Sequence, residues 1–280
     1  MGARIIDLQS WLRTPAGQYL LAWEQARLDE AVADLFGYHA LQLGLGELDT
    51  LRANRMPHRW LAVPQTGPQA DDLGSGPINS AASRAAFVTD FSALPFGANS
   101  LDLVLLPHTL ELGLDPHVCL REVERVLVPE GRVVICGLNP MSMWGWRQRA
   151  DRALQRCGMD APFLPEAGEL IAYWRLRDWL RLLSFEVEST QFGLYRPPVN
   201  RPGMLQRFAW MERAGERWWP ILGAVYLLVA VKRVHGMRLL KPSWKKVPRR
   251  AVASAPLANR DARYQGATRR NDPLQTERPD

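Results

Sequence analysis

Two glycines, Gly44 and Gly46, directly follow the first short apolar segment of the chain. That segment, residues 40–43, reads Ala-Leu-Gln-Leu and is predicted as a buried strand. Glycines at the carboxyl end of a strand let the backbone approach a nucleotide-like ligand, because no Cβ stands in the way. Leu48 stands near the position of a third glycine, so the pair does not complete a dinucleotide fingerprint and also fits an ordinary turn.

A longer pattern starts with a short predicted strand at residues 86–89, which ends at Asp90. Residues 91–96 then read Phe-Ser-Ala-Leu-Pro-Phe, and residues 100–104 read Ser-Leu-Asp-Leu-Val. Further on, residues 121–131 read Arg-Glu-Val-Glu-Arg-Val-Leu-Val-Pro-Glu-Gly. A carboxylate at a strand end accepts hydrogen bonds well from an exocyclic amine, so Asp90 is a candidate ligand-binding residue. Capping of a turn is its alternative role.

Alternating strands and helices position these residues. The segment 101–106 is almost entirely apolar, as expected for a strand buried on both faces of a parallel sheet. Asp115 and Pro116 provide a capping oxygen and a first-turn proline for a helix. Further strands are predicted at 59–63, 132–136, 185–189 and 224–231, and another helix at 17–35. Repeated strand–helix–strand units predict an α/β fold with a doubly wound, mostly parallel sheet.

Residues 141–219 differ in composition from the rest of the chain and contain seven of its eleven tryptophans. Side chains in this segment are candidates for a lid and a substrate pocket that excludes water, although most aromatic residues of a fold lie in its core. The candidates are Trp144, Trp146, Arg147, Trp174 and Tyr195. Gln18 and Tyr19, at the start of the first helix, are candidates for closing over a ligand. We predict one domain over residues 1–235, with this substrate segment inside it.

The net charge of +6 is located in the last part of the chain. Residues 236–280 hold eleven Lys and Arg against four Asp and Glu, whereas residues 1–235 are close to neutral. The hydrophobic pattern also stops at Gly236, so this basic tail is predicted to be largely disordered. The tail fits phosphate contacts with nucleic acid as well as a merely solvated extension, and the second interpretation is favoured.

Several kinds of site and location are disfavoured by the sequence. Three scattered cysteines fit neither a disulfide framework nor a zinc site, and no metal site is predicted. No secretory pattern opens the chain, and the 14 residues of the apolar stretch 218–231 are fewer than the roughly 18–20 that span a bilayer. We therefore expect a cytoplasmic protein without a transmembrane segment. The sequence contains no signal from which to predict whether the protein is a monomer or an oligomer.

The order of these motifs resembles the type-11 group of class I S-adenosylmethionine-dependent methyltransferases. In that group a strand ending in Asp, a Leu-Pro-Phe turn and a Ser-x-Asp-x-Val strand precede a helix that reads Arg-Glu-x-x-Arg-Val-Leu-x-Pro-x-Gly. The close resemblance covers residues 87–139, and a looser one covers 40–232. It implies a seven-stranded Rossmann-like sheet with an antiparallel last strand. It also implies S-adenosylmethionine as cofactor and methyl transfer to an acceptor, which we expect to be a small molecule.

The same resemblance implies a set of site residues. Gly44 and Gly46 would lie against the methionine moiety and ribose of the cofactor. Asp90, with the Phe91 amide, would face the adenine. Pro107 and the following His108 would lie close to the transferred methyl group and contact the cofactor.

Two roles are open for His108. Its ordinary pKa lies near neutral pH, so His108 is a candidate catalytic general base for an oxygen or carbon nucleophile. A positioning or cofactor-contacting role is the favoured alternative. The Asn-Pro-Pro-aromatic signature of many amino-group methyltransferases is absent at this place in the sequence.

Two departures from the family pattern leave other functions in competition. The second predicted strand ends at Val63-Pro64 without an acid for the ribose hydroxyls, and the first crossover helix is predicted to be unusually short. These departures leave open a degenerate methyltransferase fold that acts as a non-catalytic protein- or RNA-interaction module. A dinucleotide-dependent oxidoreductase would need a third glycine and an acid about 20 residues further on, and the sequence lacks both. The methyltransferase is therefore the favoured interpretation.

Overall fold

The computed structural model describes residues 8–64, 85–112, 115–156, 163–165 and 169–234. Residues 65–84 lie outside these ranges, as does Cys157, one of the three cysteines. The basic tail at 236–280 also falls outside them, so its disorder and the domain boundary before it stay predictions.

The described chain alternates between helices and strands. Its helices are α1 (Leu8–Leu12), α2 (Pro15–Ala33), α3 (Thr109–Leu112), α4 (Pro116–Val126), α5 (Met143–Arg156), α6 (Tyr173–Leu182), α7 (Pro202–Arg207) and α8 (Trp210–Trp218), and a 3-10 turn spans Pro220–Leu222. Its strands are β1 (His39–Leu43), β2 (His58–Pro64), β3 (Ala85–Thr89), β4 (Leu101–Pro107), β5 (Leu127–Leu138), β6 (Phe185–Gly193) and β7 (Val225–Lys232). Each predicted strand is present, and β5 and β6 extend further than predicted.

The seven strands form one sheet in the order β3-β2-β1-β4-β5-β7-β6. Strands β1 to β5 pair in parallel, whereas β7 lies antiparallel between β5 and β6. The predicted sheet, with its antiparallel last strand, is therefore confirmed. The strand order reverses between β1 and β4, and ligands of such sheets bind in the crevice outside the carboxyl ends at this point.

The crossover from β1 to β2 contains no helix, so the short helix predicted there is wrong. Residues 44–57, all of which are described, cross over in turns and irregular backbone. The buried side chain of Asn54 fastens this segment to the end of α2, since its Nδ2 donates to the carbonyl oxygens of Val32 and Leu35 at 2.9 and 3.1 Å. Side-chain bonds to the backbone of this kind compete with helix formation.

Apolar side chains fill both faces of the sheet. On one face, α2 buries Leu20 and Leu28 in a cluster with residues of β1, β4 and β5. On the other face, α4 and α6 bury Leu120 and Leu176. The predicted cap of α4 is confirmed, because the Asp115 carboxylate accepts hydrogen bonds from the first two backbone N–H groups of the helix that carry one. The helices packed on the two faces hold the strands, and therefore the carboxyl edge of the sheet, in place.

The apolar stretch 218–231 has an internal structural role. It forms the end of α8, the 3-10 turn and most of β7, whose eight residues are all buried. Within the described ranges, no helix is both long and apolar enough to cross a membrane.

Candidate active site

Residues that the sequence singled out lie at one edge of the sheet. Gly44 follows β1, Asp90 follows β3, and Pro107 ends β4. Because these strands are parallel, their carboxyl ends share one edge, which is also where the strand order reverses. The structure therefore brings these three residues to the edge at which ligands bind in this fold.

Gly44 has a backbone conformation that favours glycine, with a φ of +91°. A Cβ at this position would lie 3.1 Å from Thr109 Oγ1, which is closer than ordinary van der Waals contact. Thr109 Oγ1 itself donates a hydrogen bond of 2.6 Å to the carbonyl oxygen of Leu43. The backbone after β1 is thus held against the residues that follow β4. Gly46 is less restricted, since a Cβ there would make only ordinary contact with Leu61.

The buried side chain of Gln42 organises the loop that carries both glycines. Its Nε2 donates to the carbonyl oxygens of Leu45 and Leu48, at 2.6 and 2.8 Å. Its Oε1 accepts hydrogen bonds from the backbone N–H and the hydroxyl of Thr50. A satisfied buried network of this kind gives the loop a fixed shape without a third glycine. Our sequence analysis missed Gln42, although a polar residue inside an apolar strand is a detectable signal.

Asp90 is exposed, and its Oδ1 accepts a 2.9 Å hydrogen bond from the backbone N–H of Ser92. This hydrogen bond lowers the pKa of Asp90, because it stabilises the charged form. The side chain therefore caps the turn after β3. Capping is compatible with ligand contact, since an ionised carboxylate offers about four lone pairs.

An ion pair on α4 anchors the loop that follows Asp90. Glu122 Oε1 accepts a hydrogen bond from the Leu94 N–H at 2.8 Å, and Arg125 donates to the Phe96 carbonyl oxygen at 3.0 Å. Glu122 and Arg125 also pair with each other, at an N···O distance of 2.6 Å. Both belong to the Arg-Glu-x-x-Arg motif, so part of that motif holds the candidate binding loop in place.

His108 is buried between two carboxylates. Its Nε2 lies 2.8 Å from Glu24 Oε1, and its Nδ1 lies 3.0 Å from Glu111 Oε2. Glu24 belongs to α2, 84 residues earlier in the chain, whereas Glu111 lies in α3, three residues after His108. Glu111 Oε1 also accepts a hydrogen bond from the N–H of Leu138 at the end of β5. The cluster therefore joins α2, β5 and the segment after β4.

The two carboxylates determine the protonation of His108. Burial by itself lowers the pKa of an imidazole, but the charge of Glu24 and the hydrogen bonds to Glu111 and Glu24 outweigh this effect. The pKa of His108 is raised to about 10. The imidazolium present at neutral pH holds its two protons toward the carboxylates. Because a general base must be unprotonated, the arrangement favours the positioning role over the catalytic role.

Glu24 is a site residue that sequence reasoning missed. It is fully buried on α2, at four-residue spacing between the buried Leu20 and Leu28. A charged residue on the apolar stripe of a helix is a signal, because burial of a charge is costly unless the charge is paired. Its Oε2 is buried and has no hydrogen-bond partner among the residues that the structure describes.

The candidates from the tryptophan-rich segment fall into two groups. Trp144 and Tyr195 are buried, and each donates a side-chain hydrogen bond to a backbone carbonyl, at 2.9 and 2.7 Å. Trp146 and Trp174 are exposed to 63% and 51%. Arg147 pairs with an aspartate one turn later in α5, at 3.2 Å. Trp144 and Tyr195 are therefore structural, whereas Trp146 and Trp174 lie on the surface.

The start of α2 contributes a further polar atom. Tyr19 Oη is buried without a hydrogen-bond partner in the described ranges, and the Arg196 guanidinium lies 4.4 Å above the centre of its ring. Gln18, in contrast, donates from Nε2 to the Leu12 carbonyl oxygen and so contacts α1. The positive φ of Gly44 and the buried, unpartnered oxygens of Tyr19 and Glu24 fit a polar ligand of adenosyl type.

Known proteins provide an independent comparison. The family model described as "Methyltransferase domain" matches residues 72–135. The uncharacterised protein YafS of Escherichia coli K12 is 30% identical over 240 residues, which cover 84% of this chain and 85% of that protein. This chain belongs to the type-11 family of class I methyltransferases.

Two further similarities are to a curated protein and to a solved structure. The malonyl-[acyl-carrier protein] O-methyltransferase of Alcanivorax borkumensis is 32% identical over 140 residues, which are 48% of this chain and 44% of that protein. A solved S-adenosylmethionine-dependent methyltransferase from Thermotoga maritima aligns with a TM-score of 0.53 and 14% identity, covering 80% of this chain and 94% of that one. At this low identity the structural likeness shows the fold alone.

This type-11 methyltransferase departs from its family around β1 and β2. Strand β2 ends at Val63-Pro64 without an acid, and the crossover before it has no helix. Gln42 fixes the loop in that crossover by side-chain hydrogen bonds. The departures therefore lie at the two strands between β3, which precedes Asp90, and β4, which carries the Ser-x-Asp-x-Val motif.

Proposed function

We propose that this protein transfers a methyl group from S-adenosylmethionine to a small-molecule acceptor in the cytoplasm. The observation that carries the proposal is the meeting of Gly44, Asp90 and the residues after β4 at one sheet edge, in a chain of the type-11 family. The proposed cofactor-binding residues are Gly44, Gly46, Asp90, Phe91, Pro107 and His108.

Each part of the edge has a binding role in this proposal. The backbone of Gly44 and Gly46 would contact the methionine moiety and ribose, because no Cβ blocks the approach. Asp90 and the Phe91 amide would hold the adenine through its exocyclic amine and a ring nitrogen. The bound cofactor supplies a methyl group that is already activated, so the protein needs to orient the acceptor and exclude water.

The proton on His108 restricts the class of acceptor. With the imidazolium held between two carboxylates, a proton from the acceptor has no place on His108 at neutral pH. An acceptor that attacks without losing a proton, such as a carboxylate, needs no general base. The activity named for the Alcanivorax relative, O-methylation of a malonyl group, is of this kind. A screen should therefore begin with carboxylates.

The test is calorimetric titration of the full-length protein with S-adenosylmethionine and S-adenosylhomocysteine. We expect a dissociation constant in the micromolar range and binding at least about tenfold weaker in Asp90→Ala. Asp178→Ala, which removes an exposed carboxylate on α6, is the matched control and should bind as the wild type does. Equal affinity in both variants would contradict the role of Asp90.

A non-catalytic interaction module is the second candidate function. It is favoured by the crossover without a helix and by the missing acid at the end of β2. Absence of binding at millimolar cofactor, in a protein shown to be folded, would support it. RNA binding that weakens with salt and is lost on removal of residues 236–280 would then identify the partner class.

A further inference from the structure

Six large apolar side chains are exposed on two neighbouring segments of the molecule. Trp146, Trp210 and Trp218 are exposed to 63%, 61% and 76%. Trp219, Ile221 and Leu222 are exposed as well. We call these six residues the tryptophan surface. Single exposed apolar residues are ordinary, but a group of this size marks an interaction site.

The topology places the tryptophan surface at the edge of the candidate active site. Leu138 at the end of β5 pairs with Val225 at the start of β7, so the chain after β5 and the chain before β7 leave the same sheet edge. Asn139 joins the two, since its Nδ2 donates to the Ile221 carbonyl oxygen at 2.7 Å and its Oδ1 accepts from the Met141 N–H at 3.0 Å. The surface therefore flanks the edge where the cofactor is proposed to bind.

Helix α8 presents its tryptophans on one side. Trp210 and Trp218 are two turns apart, and Arg213 and Arg217 lie beside them at helical spacing. The packed side of the helix is marked by Gly215, where a Cβ would collide with the ring of Tyr195. The helix thus buries a small residue and leaves its largest apolar side chains uncovered by the described residues.

Arginines accompany the tryptophan surface. Residues 143–156 contain four arginines and one aspartate, and residues 201–222 contain four arginines and two glutamates. The remainder of residues 1–235 holds 16 Lys and Arg against 22 Asp and Glu. Positive charge within this part of the chain is therefore concentrated in the two segments that carry the exposed apolar residues.

We propose that the tryptophan surface docks the protein on a lipid bilayer that contains anionic phospholipid. Tryptophan prefers the membrane–water interface, because its ring is apolar and its N–H is polar. Helices with tryptophan on one face and arginine beside it lie in that interface, and the arginines attract anionic headgroups. A bilayer fits these residues, because the net positive charge of the two segments complements anionic headgroups beside the exposed tryptophans. The proposal does not depend on the proposed methyl transfer.

The test is co-sedimentation of the full-length protein with vesicles at low and high salt. One set contains phosphatidylglycerol and phosphatidylcholine in equal parts, and the other contains phosphatidylcholine alone. We expect salt-sensitive binding to the mixed vesicles, at least about tenfold weaker in the Trp210→Ser/Trp218→Ser variant. The charge-reversed Arg213→Glu/Arg217→Glu variant should also lose binding.

Phe36→Ser is the matched control for the tryptophan variant. Phe36 is exposed to 76%, as Trp218 is, but it precedes β1 and lies at the opposite sheet edge. This variant should bind vesicles as the wild type does, and thermal unfolding confirms that each variant is folded. Equal binding of the wild type and the double tryptophan variant would assign lipid affinity elsewhere in the chain and overturn the proposal. Failure of the wild type to sediment with either vesicle would overturn it too and favour an acidic protein partner.

Discussion

The two halves of the candidate site are held in place by different means. The half after β3 is exposed, and Asp90 is held there by a turn and by the anchor that Glu122 provides. The half between β1 and β4 is buried, and Gly44 and His108 are fixed by hydrogen bonds that reach across the sheet and to α2. Local spacing is therefore enough to recognise the first half, whereas the second depends on residues far apart in the chain.

The comparison predicts that changes in the buried half affect stability as well as binding. Removal of His108 should have the largest effect, because Glu24 and Glu111 would then bury two carboxylates without a counter-charge. We expect His108→Gly to lose about 3–5 kcal/mol of unfolding free energy in urea denaturation at neutral pH. Glycine avoids added backbone strain, since His108 has a φ of +53°.

Ser184→Gly is the control for this substitution. Ser184 has a similar φ of +61°, but its side chain is exposed, so the change to glycine should cost little or stabilise the fold. A loss below about 1 kcal/mol in His108→Gly would mean that the buried charges contribute less than the usual range for such pairs.

The pH dependence of the unfolding free energy tests the contribution of the buried His108 cluster separately. The pKa of His108 is about 10 in the folded protein, above an unfolded value of about 6.5, so the folded state holds an extra proton between these values. This contribution is fully present below the unfolded pKa and is lost as the pH rises through about 10. We expect the unfolding free energy to fall by up to about 1.4 kcal/mol per pH unit in this window.

Burial also raises the pKa of Glu111. This group therefore also makes the unfolding free energy fall as the pH rises, and its contribution begins at lower pH. Urea denaturation at a series of pH values measures the slope. The slope close to pH 10 should be smaller in His108→Gly, because the proton that the imidazole holds is missing. A flat wild-type curve would show that His108 is not the group that holds the proton.

Gln42→Leu should have a smaller effect. The change leaves the carbonyl oxygens of Leu45 and Leu48 and the hydroxyl of Thr50 without their buried partner. We expect a loss of about 1–3 kcal/mol, together with weaker cofactor binding, because the loop no longer keeps its shape. Gln191→Leu on β6 is the control and should change neither the unfolding free energy nor calorimetric binding.

Asp90→Ala should have the smallest effect on stability. Its carboxylate is exposed and caps only a local turn, so the midpoint of thermal unfolding should stay close to that of the wild type. Cofactor affinity should nevertheless fall at least about tenfold in the same preparation. A fall in the midpoint as large as that of Gln42→Leu would break the distinction between the exposed and buried halves.

The sequence predicted the parts of the fold that local chemistry determines. Strand β4 was predicted because burial on both faces requires a continuous apolar run, and α4 because Asp115 and Pro116 define its start. The crossover was predicted incorrectly, because the buried bonds of Gln42 and Asn54 with backbone groups are invisible in sequence spacing. Glu24 is detectable as a charge on the apolar stripe of α2, but its pairing with His108, 84 residues away, is not.

The surface of the molecule was the least predictable part. Trp144 and Trp146 are two residues apart, yet the first is buried and the second is exposed to 63%. Composition does not distinguish the burial of Trp144 from that of Trp146, because tryptophan occurs both in cores and at interfaces. Only the packing of α5 against the rest of the fold separates them.

The cluster of Glu24, His108 and Glu111 also has an evolutionary consequence. Loss of His108 leaves two buried carboxylates without a counter-charge, and loss of either carboxylate leaves one imidazolium nitrogen without its partner, whereas replacement of a whole buried ionic group by apolar residues of similar volume is often neutral or stabilising. Related sequences should therefore carry the three residues together or exchange them together. Covariation between position 24 and positions 108 and 111 would then mark the relatives that share this polar core, even though α2 lies outside the segment matched by the family model.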